Sequence, residues 1–594
     1  MSSAPDTPEQ VNTKTAWISA KAAWRRFQAE QESSPEKPDT RIGVAASFTA
    51  STLSPFVGAY LVAEGFRPEI SVGPYNQLFQ VCFDYKSFFG TDCGVICLLW
   101  RIEDLMGEEL DRFLNRDGAA LGQACDKLVA LAGAISTLRS TFSGTVIVSI
   151  PSVPTGIPAD ISSLDHAAQL GHFHRTVVAR FIEIAANLRD VRLVDFDAAQ
   201  REVGFQASFD ARQWYIYRQP FSDAFLHSAG TKLARIIVAG RRSAKKCVVL
   251  DCDNTLWGGF IGEDGLDGIE IGTEFPGSAF RDFQRLLLHW LRQGILLALL
   301  SKNNEPDVWE VFDEHSAMLL KRGDISAWQI NWQPKAENIA LIAKALNIGT
   351  NSLVFVDDSP MEISYMQQAR PEVTSILLPE DPAEIVSTLQ NTVLFDRLDI
   401  TDEDLGRAEM VRAELDREQL GAKMSKQEFL ETLGLKIDLF QAGTNDLGRV
   451  TQLINKTNQF NLTTTRKTLD EVRALANSPN HRVYAFRISD KFGEYGLTGV
   501  VLVDISADRR TWTLSNLLLS CRVLGRGVEA GLLAALASDA AAEGAVEFIG
   551  VFVPTKKNAP ASSFLPDFGF KPDGDRWRLP LTDAPKLPSF VERI

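Results

Sequence analysis

The segment KKCVVLD, residues 245–251, constrains the fold more than any other part of the chain. Its Val and Leu residues run without the polar alternation of a strand that has one face in water, so both faces are expected to be buried. The segments ILLALLS (295–301) and SLVFVD (352–357) have the same character, and helical patterns separate the three. Strands that alternate with helices in this way predict a parallel sheet covered by helices.

The rest of the chain divides by pattern into further segments. Short apolar runs also alternate with helical stretches from Arg41 to about Gly240, which predicts a second α/β domain. The C-terminal region combines strand patterns with an Ala-rich helix, which predicts an α+β domain on a largely antiparallel sheet. The predicted segments are a disordered arm with one helix (1–40), an α/β domain (41–240), the central α/β domain (241–380), a helical connector (381–428) and an α+β domain (429–594).

The composition excludes several classes of protein. The chain has 594 residues, 45% of them hydrophobic and 23% charged, which is typical of a globular protein. Its formal charge of −15 argues against a nucleic-acid binder, which needs a basic surface. The chain contains no run of about 18 apolar residues, as a membrane span requires, and its polar N-terminus lacks the apolar core of a secretory signal. Seven cysteines do not suggest a disulfide framework, so we expect a reduced, cytoplasmic protein.

The strands of the central domain end in polar side chains. Ligand sites of open α/β sheets lie at the carboxyl ends of the strands, where a cluster of acidic residues needs a cation. Oxygen ligands beside a phosphate favour Mg²⁺, and the metal with a lysine can neutralise a phosphoryl group during its transfer. One aspartate can then act as nucleophile and another can protonate the leaving group. The residues concerned are Asp251 and Asp253 after the first strand, Ser301, Lys302 and Asn303 after the second, Lys335 at the start of a helix, and Asp357 and Asp358 after the third.

The order DxDxT, Ser, Lys, Asp-Asp resembles the motifs of the haloacid-dehalogenase (HAD) superfamily of phosphatases. The resemblance implies a Rossmann-like domain in which Asp251 is the catalytic nucleophile and Asp253 the general acid and base. Lys302 follows Asp253 by only 49 positions, which leaves no room for a large cap domain. The implied phosphate ligands are Ser301, Lys302, Asn303 and Lys335, and the implied Mg²⁺ ligands are Asp251, Asp253, Asp357 and Asp358.

Longer segments resemble one family within that superfamily. DNTLWGGFIGEDG, INWQPKAENI and VFVDDSPMEI are similar to the FkbH-like proteins of HAD subfamily IIIC, and so are KTNQFNLTT, LSCRVLGRGVE and PTKKNAP nearer the C-terminus. The family implies an enzyme that takes a phosphorylated three-carbon donor such as 1,3-bisphosphoglycerate, removes phosphate, and loads the glyceryl unit onto an acyl carrier protein in polyketide biosynthesis.

The segment RVLGRG, residues 522–527, resembles the loop of GNAT acyltransferases that binds coenzyme A. Its glycines, Gly525 and Gly527, allow a phosphate to approach the backbone, and a helix that follows directly adds N–H donors. With Arg522 and Arg526 this loop suits the pyrophosphate of coenzyme A or the phosphopantetheine of a carrier protein.

Cys521 precedes that loop and has two interpretations. A helix N-terminus and an adjacent arginine lower the pKa of a thiol, so Cys521 could carry the acyl group as a thioester. Equally, it could be a buried small side chain, as most free cysteines are. His481 could serve as its base, although a surface or strand histidine is the commoner case.

The N-terminal α/β domain corresponds to an SGNH-hydrolase-like or flavodoxin-like domain in the FkbH-like family. Ser47 follows its first strand, where a nucleophile would lie, but the sequence has no Gly-Asp-Ser. Asp223 and His227 also lack the Asp-x-x-His spacing. We therefore expect a degenerate domain without hydrolase activity, suited to docking a carrier protein.

Two other functions are compatible with the sequence. The chain could be a HAD phosphatase with a GNAT-like domain that acts on a sugar or polysaccharide precursor, with Cys521 idle. It could also be a scaffold that keeps the phosphatase motifs without activity, which the complete motif set disfavours.

Overall fold

The computed structural model describes residues 8–155, 164–188, 190–390, 392–421 and 423–594. The chain forms two compact units. The first comprises Met1–Ala244 with Thr392–Asp399, and the second comprises Lys245–Asn391 with Ile400–Ile594. In the described part of the chain, no helix is both long and apolar enough to cross a membrane.

A parallel five-stranded sheet forms the centre of the first unit. Its strands are β1 (Thr40–Ala46), β2 (Pro68–Val72), β3 (Val95–Leu99), β4 (Thr145–Ile150) and β5 (Val191–Asp195). Their order in the sheet, β2-β1-β3-β4-β5, is that of flavodoxin-like doubly wound folds. Four of these strands follow the apolar runs of the sequence, whereas the edge strand β2 has alternating exposure and was not predicted.

Helices cover both faces of this sheet. Phe56 and Phe225 pack on one face, and Met106, Leu131 and Phe173 pack on the other. The helices are α1 (Pro8–Ser33), α2 (Ser54–Ala63), α3 (Leu78–Phe83), α4 (Tyr85–Phe89), α5 (Ile102–Leu114), α6 (Ala120–Thr141), α7 (Leu164–Ala185), α8 (Phe196–Val203), α9 (Ala211–Tyr217) and α10 (Asp223–Arg241).

The predicted helix of the N-terminal arm is α1, which docks on α2. Trp24 is buried against Gly58, where a Cβ atom would lie 2.2 Å from the indole ring, so only glycine allows this approach. The helix continues to Ser33, into a stretch for which disorder was expected. Residues 1–7 of the arm lie outside the described residues.

The second unit contains another parallel sheet of five strands. These are β6 (Cys247–Leu250), β7 (Leu296–Ser301), β8 (Ile325–Ile330), β9 (Leu353–Asp357) and β10 (Thr374–Leu377), in the order β10-β9-β6-β7-β8. The associated helices are α11 (Ile261–Gly268), α12 (Gly277–Arg292), α13 (Glu305–Glu314), α14 (Lys335–Ala345), α15 (Pro360–Ala369) and α16 (Ile385–Gln390). Only α11 and α12 lie between β6 and β7, so the domain has no large cap, as the motif spacing predicts.

The C-terminal part of the second unit has a mixed sheet. Its strands are β11 (Leu435–Gln441), β12 (Phe460–Asn461), β13 (His481–Asp490), β14 (Gly493–Ile505), β15 (Thr511–Leu519), β16 (Glu547–Gly550), β17 (Lys571–Asp573), β18 (Arg576–Pro580) and β19 (Val591–Arg593). Most neighbours are antiparallel, but β15 runs parallel to β16, and β11 runs parallel to β19. The remaining helices are α17 (Asp402–Leu405), α18 (Arg407–Gly421), α19 (Lys426–Leu433), α20 (Leu447–Lys456), α21 (Leu469–Ala476), α22 (Val528–Ala542) and α23 (Phe564–Asp567).

Helix α18, from the predicted connector, contacts both sheets of the second unit. Ala408 and Val411 pack against the apolar core of the β6–β10 sheet. Arg417 is buried and forms a two-pronged ion pair with Asp490 at the end of β13, with N···O distances of 2.7 and 2.9 Å. The described architecture confirms the predicted α/β fold class with a C-terminal α+β domain.

Candidate functional site

The strand order of the β6–β10 sheet concentrates the predicted site residues at one place. Read from the other edge, the order β8-β7-β6-β9-β10 reverses direction between β6 and β9. Such a switch point opens a crevice at the carboxyl ends of the strands, where doubly wound sheets bind ligands. Asp251 follows β6, and Asp357 with Asp358 ends and follows β9 on the adjacent strand.

A buried lysine links these two strand ends. Lys335, at the first position of α14, is 4% exposed, and its Nζ lies 2.6 Å from Asp357 Oδ2 and 3.1 Å from Asp251 Oδ2. Its pKa is raised, because the charges of Asp251 and Asp357 outweigh the opposing effect of burial. The ammonium group therefore remains charged at the predicted phosphate site.

Three carboxylates at this site form a group that fits a divalent cation. One oxygen each from Asp251, Asp357 and Asp358 lies within 4.8 Å of the others. Asp251 Oδ1 is buried without a hydrogen-bond partner, so one lone-pair-bearing atom is free for a ligand. Oxygen donors of this kind suit Mg²⁺ better than softer metals.

The same crowding perturbs the carboxyl groups. Burial, followed by the charge of Asp251, raises the pKa of Asp357 to about 6, and the same two causes raise the pKa of Asp358 to about 6. Lys335 alone does not balance three acidic groups. A divalent cation would supply the two missing positive charges and hold all three ionised.

Asp253 is held separately from that group. Its carboxylate accepts hydrogen bonds from the indole Nε1 of Trp257 at 2.9 Å, the backbone N–H of Ile261 at 3.1 Å and the amide Nδ2 of Asn303 at 2.8 Å. Among the described residues, the cluster able to hold a metal does not include the Asp253 side chain, although the sequence predicted it as a ligand. The sequence analysis did not predict that Trp257 contacts Asp253. Its position four residues after Asp253, in a turn, could have indicated this contact.

The predicted phosphate ligands after β7 point in different directions. Ser301 is buried, and its Oγ accepts a hydrogen bond of 3.2 Å from Asn303 Nδ2, which places both beside the carboxylates. Lys302 instead donates to Glu362 Oε1 on α15 at 2.6 Å. Sequence reasoning missed Glu362, because a Glu three residues after Ser359 has the spacing of a helix-capping pair.

The loop Arg522–Gly527 connects β15 to the N-terminus of α22. Gly525 and Gly527 have φ values of +75° and +74°, which only glycine adopts readily. The backbone N–H of Gly525 donates to Glu529 Oε1 at 3.2 Å. A carboxylate of the chain itself therefore accepts from an N–H that was predicted to bind phosphate. The side chain of Cys521 lies outside the described residues.

Both arginines of this loop reach helix α18. Arg526 pairs with Glu414 and donates to the hydroxyl of Tyr495. Arg522 donates to Met410 Sδ at 3.3 Å and to Ser520 Oγ at 3.2 Å. The predicted pantetheine-binding arginines thus already have partners in this conformation.

The N-terminal domain does not assemble a hydrolase triad in its described residues. Ser47 is fully buried and donates to Asp104 Oδ2 at 2.8 Å, and Asp223 pairs with Lys21 at 2.5 Å. His227 packs edge-on against Phe56 with a buried, unpartnered Nδ1. In the C-terminal domain, His481 contacts Ser478 at 2.8 Å.

No family model and no curated protein matches the chain. Among solved structures, it is similar to the N-terminal part of protein BF1531 from Bacteroides fragilis, which contains a phosphatase domain and was crystallised with Mg. The two share 24% identity and a TM-score of 0.53, over 64% of this chain and 98% of that one. The two chains therefore share a fold.

Two further solved structures, both of GNAT-type acetyltransferases, match about a quarter of the chain. A GNAT-family protein from Desulfovibrio desulfuricans matches 24% of this chain and 99% of its own, at 16% identity and a TM-score of 0.21. Spermidine N-acetyltransferase from Vibrio cholerae, in complex with CoA and spermine, matches 25% of this chain and 97% of its own, at 15% identity and a TM-score of 0.21. Likenesses with such low scores carry no argument about activity.

The acidic cluster predicts stabilisation by Mg²⁺. A ligand that binds only the folded state stabilises it by about 2.7 kcal/mol at a concentration of roughly 100 Kd. We expect Mg²⁺ to raise the melting temperature of the protein in differential scanning calorimetry, and the variant Asp358→Asn to lose this increase. Asp267→Asn, at an exposed acidic position on α11, is the matched control and should keep it. An equal increase in all three proteins would place the cation elsewhere.

Proposed function

We propose that the central domain is a Mg²⁺-dependent phosphatase that acts through an aspartyl-phosphate on Asp251. This proposal rests on the contacts of the two oxygens of the Asp251 carboxylate. Lys335 contacts Oδ2 of Asp251 at 3.1 Å, while Oδ1 of Asp251 is buried and unpartnered at a sheet crevice, beside Asp357 and Asp358. A buried oxygen without a partner is costly unless a ligand completes it.

The reaction then has two steps, both carried by residues of this chain. Asp251 Oδ1 forms a bond to phosphorus, the bond from phosphorus to the leaving oxygen breaks, and Asp253 gives that oxygen a proton. Asp253 next accepts a proton from water, whose oxygen attacks phosphorus and releases phosphate from Asp251. Lys335 and Ser301 neutralise and orient the phosphoryl oxygens throughout. Mg²⁺ bound by Asp251, Asp357 and Asp358 would add charge stabilisation.

For the whole chain, we propose a more specific function: it loads a glyceryl unit onto an acyl carrier protein. With a donor of the 1,3-bisphosphoglycerate type, the Cys521 thiolate attacks the acyl carbon, the carbon–oxygen bond breaks, and phosphate leaves. The ester phosphate is removed by hydrolysis at Asp251. The phosphopantetheine thiol of the carrier then displaces Cys521, which regains its proton.

A positively charged turn of the C-terminal domain supports a carrier as partner. Lys556 and Lys557 are exposed on a turn that Asn558 ties to the backbone of Asn461 by a hydrogen bond of 2.9 Å. Carrier proteins are commonly acidic, and this chain has a net charge of −15, so a local basic patch is needed for attraction.

Intact-protein mass spectrometry tests both levels of the proposal. After incubation with Mg²⁺ and 1,3-bisphosphoglycerate, we expect a glyceryl adduct on the wild type and on Cys125→Ser, a matched cysteine control, but not on Cys521→Ser. Asp251→Asn should carry an adduct heavier by one phosphate group, because it cannot hydrolyse the ester.

The alternatives give other spectra. Phosphate release without any adduct would exclude Cys521 as a carrier and favour a phosphatase for another substrate, such as a sugar phosphate. Unchanged phosphate release by Asp251→Asn would contradict the phosphatase mechanism itself.

Contacts of Arg526 predict how the C-terminal loop responds to a phosphate-bearing ligand. Because Glu414 neutralises the charge of Arg526, Glu414→Gln should leave that charge available to a phosphate and raise the affinity for coenzyme A by about tenfold, equivalent to roughly 1.4 kcal/mol. Isothermal titration calorimetry of the full chain measures this. Glu409→Gln, the same charge change at an exposed position of α18, should bind like the wild type. Equal affinities in all three proteins would show that Arg526 does not take part.

A further inference from the structure

The two oxygens of the Asp253 carboxylate have unequal surroundings. Oδ1 accepts from both the indole N–H of Trp257 at 2.9 Å and the backbone N–H of Ile261 at 3.1 Å. In the part of the chain that the structure describes, Oδ2 accepts a single hydrogen bond, from Asn303 Nδ2 at 2.8 Å. A carboxylate oxygen offers about two lone-pair sites, so Oδ1 is saturated and Oδ2 keeps one site.

Trp257 is fixed independently of the carboxylate. The side chain is fully buried and packs edge-on against Phe312, with ring centroids 6.4 Å apart. Its indole nitrogen can only donate, and a buried donor must have an acceptor. The core therefore determines where the indole N–H points, and the carboxylate of Asp253 is oriented by it.

Asn303 orients the other oxygen toward the phosphate-binding side. Its amide nitrogen donates both to Asp253 Oδ2 and to Ser301 Oγ, the latter at 3.2 Å. Ser301 ends β7 beside the crevice, so Asn303 links Oδ2, and not Oδ1, to one of the predicted phosphate ligands.

We propose that Trp257 is a positioning residue that makes Oδ2 the proton-donating and proton-accepting atom of Asp253. This inference rests on the proposed phosphatase mechanism and adds which atom transfers the proton and what holds it there. Without the indole donor, Oδ1 regains a free site and the carboxyl group can rotate about its Cβ–Cγ bond. Proton delivery to the leaving oxygen then loses its fixed geometry, whereas phosphate binding does not.

The dependence on the leaving group tests this role. A nitrophenolate leaves readily without a proton, whereas an alkoxide needs one, and positioned acids contribute roughly 10²–10⁴-fold. We expect Trp257→Phe to lower kcat/KM for glycerol 3-phosphate about tenfold more than kcat/KM for p-nitrophenyl phosphate, because kcat/KM reports the step in which the leaving group departs and not the later hydrolysis of the aspartyl-phosphate, which both esters share. Trp309→Phe is the matched control, because Trp309 also packs edge-on against Phe312 but donates to Glu305. Its ratio of the two rates should equal that of the wild type.

A second variant covers the case in which Trp257→Phe does not fold. Ile261 is the first residue of α11, where proline is tolerated, and Phe260 before it has an extended backbone (φ −117°, ψ 113°) compatible with a following proline. Ile261→Pro therefore removes the other donor to Oδ1 and should shift the ratio of rates in the same direction.

The outcomes are distinct. Equal losses on both substrates, or an unchanged ratio in the folded variants, would overturn the positioning role while leaving the phosphatase intact. A wild type that releases no phosphate from either ester would overturn the phosphatase proposal and this inference with it.

Discussion

The site depends on one buried ammonium group. Lys335 lies between Asp251 and Asp357, at the ends of two adjacent parallel strands, and is almost inaccessible to solvent. Removing charges from water is costly, so this arrangement is stable only if each charged group has a partner. One lysine among three carboxylates leaves two negative charges in excess, which is the charge of a single divalent cation. The proposed binding of a divalent cation rests on this imbalance.

The two aspartates of the DxD motif differ in the charge of the groups around them. Asp251 is surrounded by charge, whereas Asp253 is surrounded by neutral donors from an indole, a backbone amide and a side-chain amide. Neutral donors fix an orientation without adding a charge that would compete for the phosphoryl group. The proposed nucleophile thus lies in an electrostatic cluster, and the proposed proton carrier, two residues later, lies outside it.

The sequence allowed the strands and their terminal residues to be predicted, but not most of the pairings. Strands β6, β7 and β9 are buried on both faces, so their apolar runs are continuous, whereas the edge strands β8 and β10 are only partly buried and were missed. Lys302 was predicted to bind phosphate, but it donates a hydrogen bond to Glu362, which lies 60 positions away in the sequence. Similarly, Arg526 pairs with Glu414 at a separation of 112 positions. Local patterns do not encode such distant partners, because these depend on how separate elements pack.

Helix α18 makes the predicted connector part of the folded structure. The helix covers apolar side chains of the β6–β10 sheet with one set of residues and binds Asp490 and the RVLGRG loop with another. A fragment cut at residue 380 would expose the surface that Ala408 and Val411 cover. One starting at residue 429 would lack Arg417, the ion-pair partner of Asp490. The central α/β domain and the C-terminal domain are consequently not interchangeable modules, and a chimera that exchanges either would have to carry this helix and both of its contact surfaces.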